Sequence, residues 1–258
     1  MTEPTRTEAE VAATALACLD LTDLSDSCDE ADVQTLCARA RTPAGDAAAV
    51  CVWPRFAALA KRQLSATRIR VAVVANFPAG AERVAPVAAE IAAAVAEGAD
   101  EIDMVLPYRA FAEGRADAAA KLLDAARREA WGRTLKVILE TGMLREPGLI
   151  RRAADLAIGE GADFIKTSTG KVDVNATPEA ARIMLDAIAA SGRPVGFKAA
   201  GGVRSVADAR RYLELVDEVM GSGWATPETV RFRASGLLAA LMMALGAGAA
   251  PAAEPGGY

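Results

Sequence analysis

Residues 160–167 read Glu160-Gly161-Ala162-Asp163-Phe164-Ile165-Lys166-Thr167, and residues 97–103 read Glu97-Gly98-Ala99-Asp100-Glu101-Ile102-Asp103. In both, a helix-forming stretch runs into Glu-Gly-Ala-Asp, and an apolar run begins at once. Glycine takes the left-handed backbone that ends a helix without a Cβ penalty, so both copies predict the same helix-to-strand junction. Their separation suits two successive β–α units; chance in an Ala/Gly-rich chain is the alternative. Working outward, eight short apolar or β-branched runs recur between helical stretches. They are Ala17–Thr22, Ala48–Trp53, Ile69–Ala75, Glu101–Leu106, Leu135–Glu140, Asp163–Thr167, Val195–Lys198 and Val230–Ala234. Their centres lie roughly twenty to thirty-five residues apart, the length of a strand plus a returning helix. Repeated β–α units with short links imply a parallel sheet, and eight of them imply closure. The fold expected is an α/β single domain, a (β/α)8 TIM barrel over residues 1–245. Residues 246–258 read as a flexible tail of Gly, Ala and Pro ending in Tyr258.

The 258 residues suit one such barrel, with a core of Ala, Val, Leu and Ile because aromatics make up only 5%. A net charge of −5 with both signs interspersed argues against nucleic acid as a partner. No basic run marks a membrane surface. The uncharged stretch Ala234 to Ala253 is long enough for a bilayer, but its strongly helical part covers only Leu237 to Leu245, so a buried last helix is expected. Cys18, Cys28, Cys37 and Cys51 form no C-x-x-C pair and follow a polar N-terminus, which fits reduced thiols in the cytoplasm and neither a disulfide framework nor a zinc site. The chain has no histidine, which excludes Ser-His-Asp and Cys-His catalysis and removes the usual ligands of a catalytic zinc.

Active sites of such barrels lie at the C-terminal ends of the strands, so polar residues interrupting apolar strands there are the candidates. These are Asp20 and Thr22, Asp103, Lys166 and Lys198. Alternation with Ile165 and Phe197 points both lysines into the barrel from adjacent strands. A free lysine titrates near about 10.4 and is a neutral amine in only about one molecule in a few thousand at pH 7. A second lysine and partial desolvation lower that value and release a nucleophile. The alternative is a core lysine paired with a carboxylate, and that reading is the one expected for Lys136 with Glu140 on strand five. A second constellation suits an anion: Gly170-Lys171 after strand six, Gly201-Gly202-Val203-Arg204 after strand seven, and Ser235-Gly236 after strand eight. Amides of glycine-rich turns and helix starts bind phosphate; the plain alternative is that these glycines only make tight turns. Cys51 reads as a small core residue, and Trp53 and Phe56 as packing, while Asn76-Phe77-Pro78-Ala79-Gly80 is a turn bordering the mouth.

Two of these stretches are specific together. Residues 162–170 (ADFIKTSTG) resemble the Schiff-base segment of the deoxyribose-phosphate aldolases, and residues 196–204 (GFKAAGGVR) resemble their second-lysine segment. Asp20-Leu21-Thr22, residues 51–56 (CVWPRF), Asn76-Phe77-Pro78, Glu101-Ile102-Asp103 and Asn175-Ala176-Thr177-Pro178 extend the likeness over nearly the whole chain. The resemblance implies a class I aldolase with no cofactor and no metal, interconverting 2-deoxy-D-ribose 5-phosphate with acetaldehyde and D-glyceraldehyde 3-phosphate. It implies Lys166 as the Schiff-base lysine, Lys198 as the lysine that lowers its pKa, and Asp103 as the proton-relay carboxylate. Substrate contacts would fall at Asp20, Thr22, Leu24, Cys51, Phe77 and Thr169, and Tyr258 matches a tail tyrosine that enters the site. The phosphate would meet Gly170, Lys171, Gly201, Gly202, Arg204, Arg233 and Ser235. The family commonly reads Gly-Ala-Ser-Ser after strand eight, whereas this chain has Arg233-Ala234-Ser235-Gly236. Arg233 either adds a phosphate ligand or crowds the amides. The partners expected are a sugar phosphate and aldehydes, with a homo-oligomer unsurprising. Two rival readings are a Schiff-base aldolase for another sugar phosphate and a silent sugar-phosphate-binding barrel.

Overall fold

The computed structural model describes residues 6–248. Its eight long strands are β1 (Leu19–Thr22), β2 (Ala49–Val52), β3 (Arg70–Ala75), β4 (Glu101–Val105), β5 (Thr134–Ile138), β6 (Phe164–Lys166), β7 (Gly196–Ala200) and β8 (Val230–Ala234). Each pairs in parallel with its chain neighbour, and β8 pairs with β1, which closes the sheet. The fold is a (β/α)8 TIM barrel, as the repeat predicts. Eleven α-helices are present among the described residues: α1 (Glu8–Ala17), α2 (Glu30–Arg39), α3 (Ala57–Gln63), α4 (Val84–Ala96), α5 (Tyr108–Ala112), α6 (Ala116–Glu129), α7 (Thr141–Leu144), α8 (Pro147–Gly159), α9 (Pro178–Ser191), α10 (Val206–Met220) and α11 (Leu237–Ala244).

The echoed junction has a physical content. Gly98 and Gly161 have φ of 93° and 89° just beyond α4 and α8. The next residue turns back onto its helix, Ala99 N–H to Ala94 O at 3.1 Å and Ala162 N–H to Ala157 O at 3.0 Å. Asp100 then accepts from Val71 N–H at 3.0 Å and pairs with Lys61, while Asp163 accepts from Leu135 N–H at 2.7 Å and pairs with Arg127. In each copy one carboxylate ties a strand start to its neighbour and to the preceding helical layer.

Several boundaries differ from expectation. β1 starts at Leu19 because α1 runs through Ala17 and Cys18 N–H still bonds to Thr14 O. β5 stops at Ile138, since Glu140 turns to φ 57°. β7 continues to Ala200, held by the register with β8. An unforeseen two-strand hairpin, Arg41–Thr42 with Gly45–Asp46, lies between β1 and β2. The last helix is short and buries Leu237, Leu238, Leu241 and Met242; no helix among the described residues is long and apolar enough to cross a membrane. Of the expected tail, residues 249–258 including Tyr258 lie outside the described residues.

Outward strand residues such as Leu21, Val73, Ile102, Val137, Ile165 and Phe197 are buried against the helices. The inside of the barrel is divided. On β2 and β3 it holds small apolar residues, Ala49, Cys51, Ala72 and Val74, packed with Leu24. On the other strands it holds buried charges, each of which costs several kcal/mol to desolvate unless paired. A barrel interior of this kind is built for more than packing.

Candidate active site

The mutual placement of the charged residues follows from strand register. Lys166 closes β6 and is the direct partner of Lys198 on β7, which is in turn the partner of Arg231 on β8. Asp103 on β4 is the partner of Lys136 on β5. With side-chain parity fixed by the pleat, these groups converge on the axis. Lys166 and Lys198 both donate from Nζ to Asp103 Oδ2, each at 2.7 Å. Lys198 also donates to Asp20. Lys136 reaches Asp103 Oδ1 at 2.9 Å, as well as Glu101, and Arg231 Nη1 reaches Asp20 Oδ1 at 2.6 Å. Arg231 further donates to Glu101 Oε1 at 2.8 Å and Oε2 at 3.1 Å.

Burial pulls the Lys166 ammonium down to about 8; Asp103 opposes this, and repulsion from Lys198 adds to it. The amine is therefore released first by desolvation, with the second lysine contributing less. At pH 7, about one molecule in ten then carries the neutral amine. Burial alone would raise Asp103, but Lys136, Lys166 and Lys198 override it and hold its carboxyl well below the usual range. Burial likewise opposes the charge of Lys136, yet Asp103, Asp20 and Glu101 hold that ammonium firmly protonated. Two of the three lysines on Asp103 thus differ: Lys136 is held as a cation and Lys166 is a titratable amine.

The other expected residues surround this centre to differing degrees. Thr22 is buried and spends its hydroxyl on Asp20 O at 2.8 Å. Leu24 and Cys51 belong to the small apolar wall opposite the charges, against which Phe77 stacks edge-on to Trp53 at 5.6 Å. Asn76, at φ 54°, fixes that loop by donating to Val105 O and Ala81 O, each at 2.9 Å. Thr169 donates from its hydroxyl to Glu140 Oε2 at 2.6 Å and from its amide to Oε1 at 3.1 Å. This overturns the expected Lys136–Glu140 pair: the left-handed turn at Glu140 carries it out of β5 and onto the β6 loop, leaving Lys136 to Glu101 and Asp103.

Among the anion candidates, Gly170, Gly201 and Gly202 all have φ between 80° and 84°. Lys171 and Ser235 are exposed at the mouth. Arg204 is exposed too, but its amide is spent on Asp208 Oδ2 at 3.0 Å, as is that of Ser205. The Arg233 guanidinium lies on Gly170, where an added Cβ would be 2.1 Å from its Nη1. Its Nε is buried and has no hydrogen-bond partner among the described residues. Asp23, Cys28 and Asp32 bring possible ligand atoms within 4.8 Å of one another, but Asp23 accepts from Ser25 and Asp32 from Asp29 in local turns.

Reading strand ends alone missed Glu101 and Arg231 and misplaced Lys136. The available signal was parity: Glu101 and Asp103 share a face, as do Arg231 and Arg233 in Val230-Arg231-Phe232-Arg233-Ala234.

Residues 14–239 match the family model described as DeoC/LacD family aldolase. The chain is 52% identical over 251 residues to the deoxyribose-phosphate aldolase of Agrobacterium fabrum (strain C58 / ATCC 33970), covering 96% of each. A solved structure from Toxoplasma gondii ME49, provisionally described as a deoxyribose-phosphate aldolase, superposes with a TM-score of 0.85 at 25% identity, covering 93% of this chain and 97% of that one. A structure from Coccidioides immitis with the same provisional description gives 0.80 at 29% identity, covering 94% and 91%. With a closed eight-strand barrel, a family match over most of its length and more than half of its residues shared with a curated relative, the chain belongs to the DeoC/LacD family of aldolases.

Proposed function

We propose that the chain catalyses the reversible cleavage of 2-deoxy-D-ribose 5-phosphate to acetaldehyde and D-glyceraldehyde 3-phosphate through a Schiff base on Lys166. The observation that carries this reading is the Lys166 amine, buried, lowered to about 8 and sharing Asp103 Oδ2 with Lys198. Neutral Lys166 adds to the C1 aldehyde of the open-chain sugar, and the carbinolamine loses water to give an iminium ion. That cation accepts the electron pair of the C2–C3 bond when the C3 hydroxyl is deprotonated. Glyceraldehyde 3-phosphate leaves, the enamine is protonated at C2, and water releases acetaldehyde. Asp103 and Lys198, within one hydrogen bond of the amine, carry the protons with a water. Tyr258 assists enamine protonation.

The phosphate is assigned to the amides of Gly170, Gly201 and Gly202 and to the start of α11, which lacks a side-chain cap. Lys171, Arg204, Arg233 and Ser235 rim that place. Self-association is part of the same proposal, checked by sedimentation. In a coupled assay, Lys166→Arg should abolish cleavage of 2-deoxyribose 5-phosphate, and full activity in that variant would end the proposal. Preference for a dihydroxyacetone-type donor would move the substrate assignment to another sugar phosphate.

A further inference from the structure

The hydrogen bonds of the barrel interior close into a ring of alternating charge. Lys198 bonds to Asp103, Asp103 to Lys136, Lys136 to Glu101, Glu101 to Arg231, Arg231 to Asp20, and Asp20 to Lys198. A chord joins Lys136 and Asp20 at 3.4 Å. The ring holds three carboxylates and three basic groups, so its formal charge is zero. Among the described residues, Lys166 hangs from it by Asp103 alone. It is the fourth cation on three carboxylates.

Two members of the ring sit far from the mouth. Glu101 and Arg231 line a polar cleft of about 390 Å³ at the N-terminal end of the barrel, together with Arg70, Arg133, Thr134 and Glu228. A substrate entering over the C-terminal ends of the strands does not touch them. Yet buried charges act over several ångströms in a medium that screens poorly, so a change in ring charge is felt at its one titratable appendage.

Resting on the Schiff-base reading above, we infer that Glu101 and Arg231 are positioning residues for the reaction: they close the ring, and through it they set the electrostatic surroundings of Lys166, the amine bonded to it at Asp103. Lys166 faces Asp103 from β4, Lys198 from β7, Cys51 from β2 and Glu140 from the loop after β5; Lys136, Asp20 and Arg231 act on it through the ring. Removing the negative charge of Glu101 leaves the ring positive and disfavours protonated Lys166. Removing Arg231 leaves it negative and favours protonated Lys166.

The test is the pH dependence of borohydride-trapped acetaldehyde adduct, read on the Lys166 peptide of the intact protein. Glu101→Gln should move the acid limb of trapping about one pH unit down, and Arg231→Met about one unit up. Arg231→Lys should leave it in place. The double variant Glu101→Gln/Arg231→Met restores neutrality and should return the limb to the wild-type position, although it removes the most hydrogen bonds. A purely structural role predicts instead that yield falls in every variant, most in the double one, with no opposed shifts. That result, or limbs that do not move, overturns the inference while leaving the Schiff base intact. An adduct mapped elsewhere than Lys166 sinks the reading on which it rests.

Discussion

At the scale of single residues, reactivity is set by what surrounds one amine. Because repulsion from Lys198 disfavours protonated Lys166, Lys198→Met should move the acid limb of imine formation to higher pH, measured by trapping across a pH series. A limb that moves down would mean that Lys198 acts through Asp103 and not through its charge. Arg233 bears on the other end of the substrate. With its guanidinium resting on Gly170 and its Nε unpartnered among the described residues, it is placed to give charge-assisted hydrogen bonds to an anion. Arg233→Gly should raise the KM for 2-deoxyribose 5-phosphate about tenfold, the loss of one such bond. KM for unphosphorylated 2-deoxyribose should stay nearly constant. A lower KM for the phosphorylated sugar would show that Arg233 crowds the site. The two lysines and Asp103 were legible in the sequence because each interrupts an apolar strand. Glu101 and Arg231 were not, because their value lies in partners on other strands, up to 211 residues apart in the chain for Arg231 and Asp20.

At the scale of elements, the repeated Glu-Gly-Ala-Asp junction was readable because its causes are local: a helix end at glycine and a carboxylate at the strand start. β8 was legible to the residue, since its alternation is complete. The end of β5 was not, because Glu140 is drawn from the sheet by the Thr169 hydroxyl and amide of another loop. The short β6 strand depends on a packing detail. An added Cβ on Gly196 would fall 2.3 Å from the Phe164 ring, and Arg231 lies 5.6 Å over the same ring. Gly196→Ala should therefore destabilise the protein by about 1–3 kcal/mol through overpacking. Urea unfolding checks this; an unchanged midpoint would show that the ring simply swings aside.

At the scale of the whole molecule, the barrel is held partly by a core that most proteins would fill with Val, Leu and Ile. The repeat predicted the closed sheet; the composition did not reveal that every strand except β2 and β3 turns a charged side chain inward. That choice has a pH signature. The carboxyls of Asp20 and Asp103 are held below their unfolded values by Lys136 and their other cation partners, against the opposing pull of burial. Their stabilisation is complete above the unfolded carboxylate value of about 4 and is lost as pH falls below it. Denaturant midpoints should thus be level from neutral pH to about 5 and fall steeply under acid. A midpoint constant down to pH 3 would contradict the pairing.

The most direct measurement is borohydride trapping with acetaldehyde on the intact protein, followed by intact mass and peptide mapping. The expected result is a single N-ethyl adduct on Lys166, absent from Lys166→Arg. An adduct on Lys198 would reverse the roles of the two lysines, and no adduct in a protein that still binds the sugar phosphate would contradict the Schiff base itself.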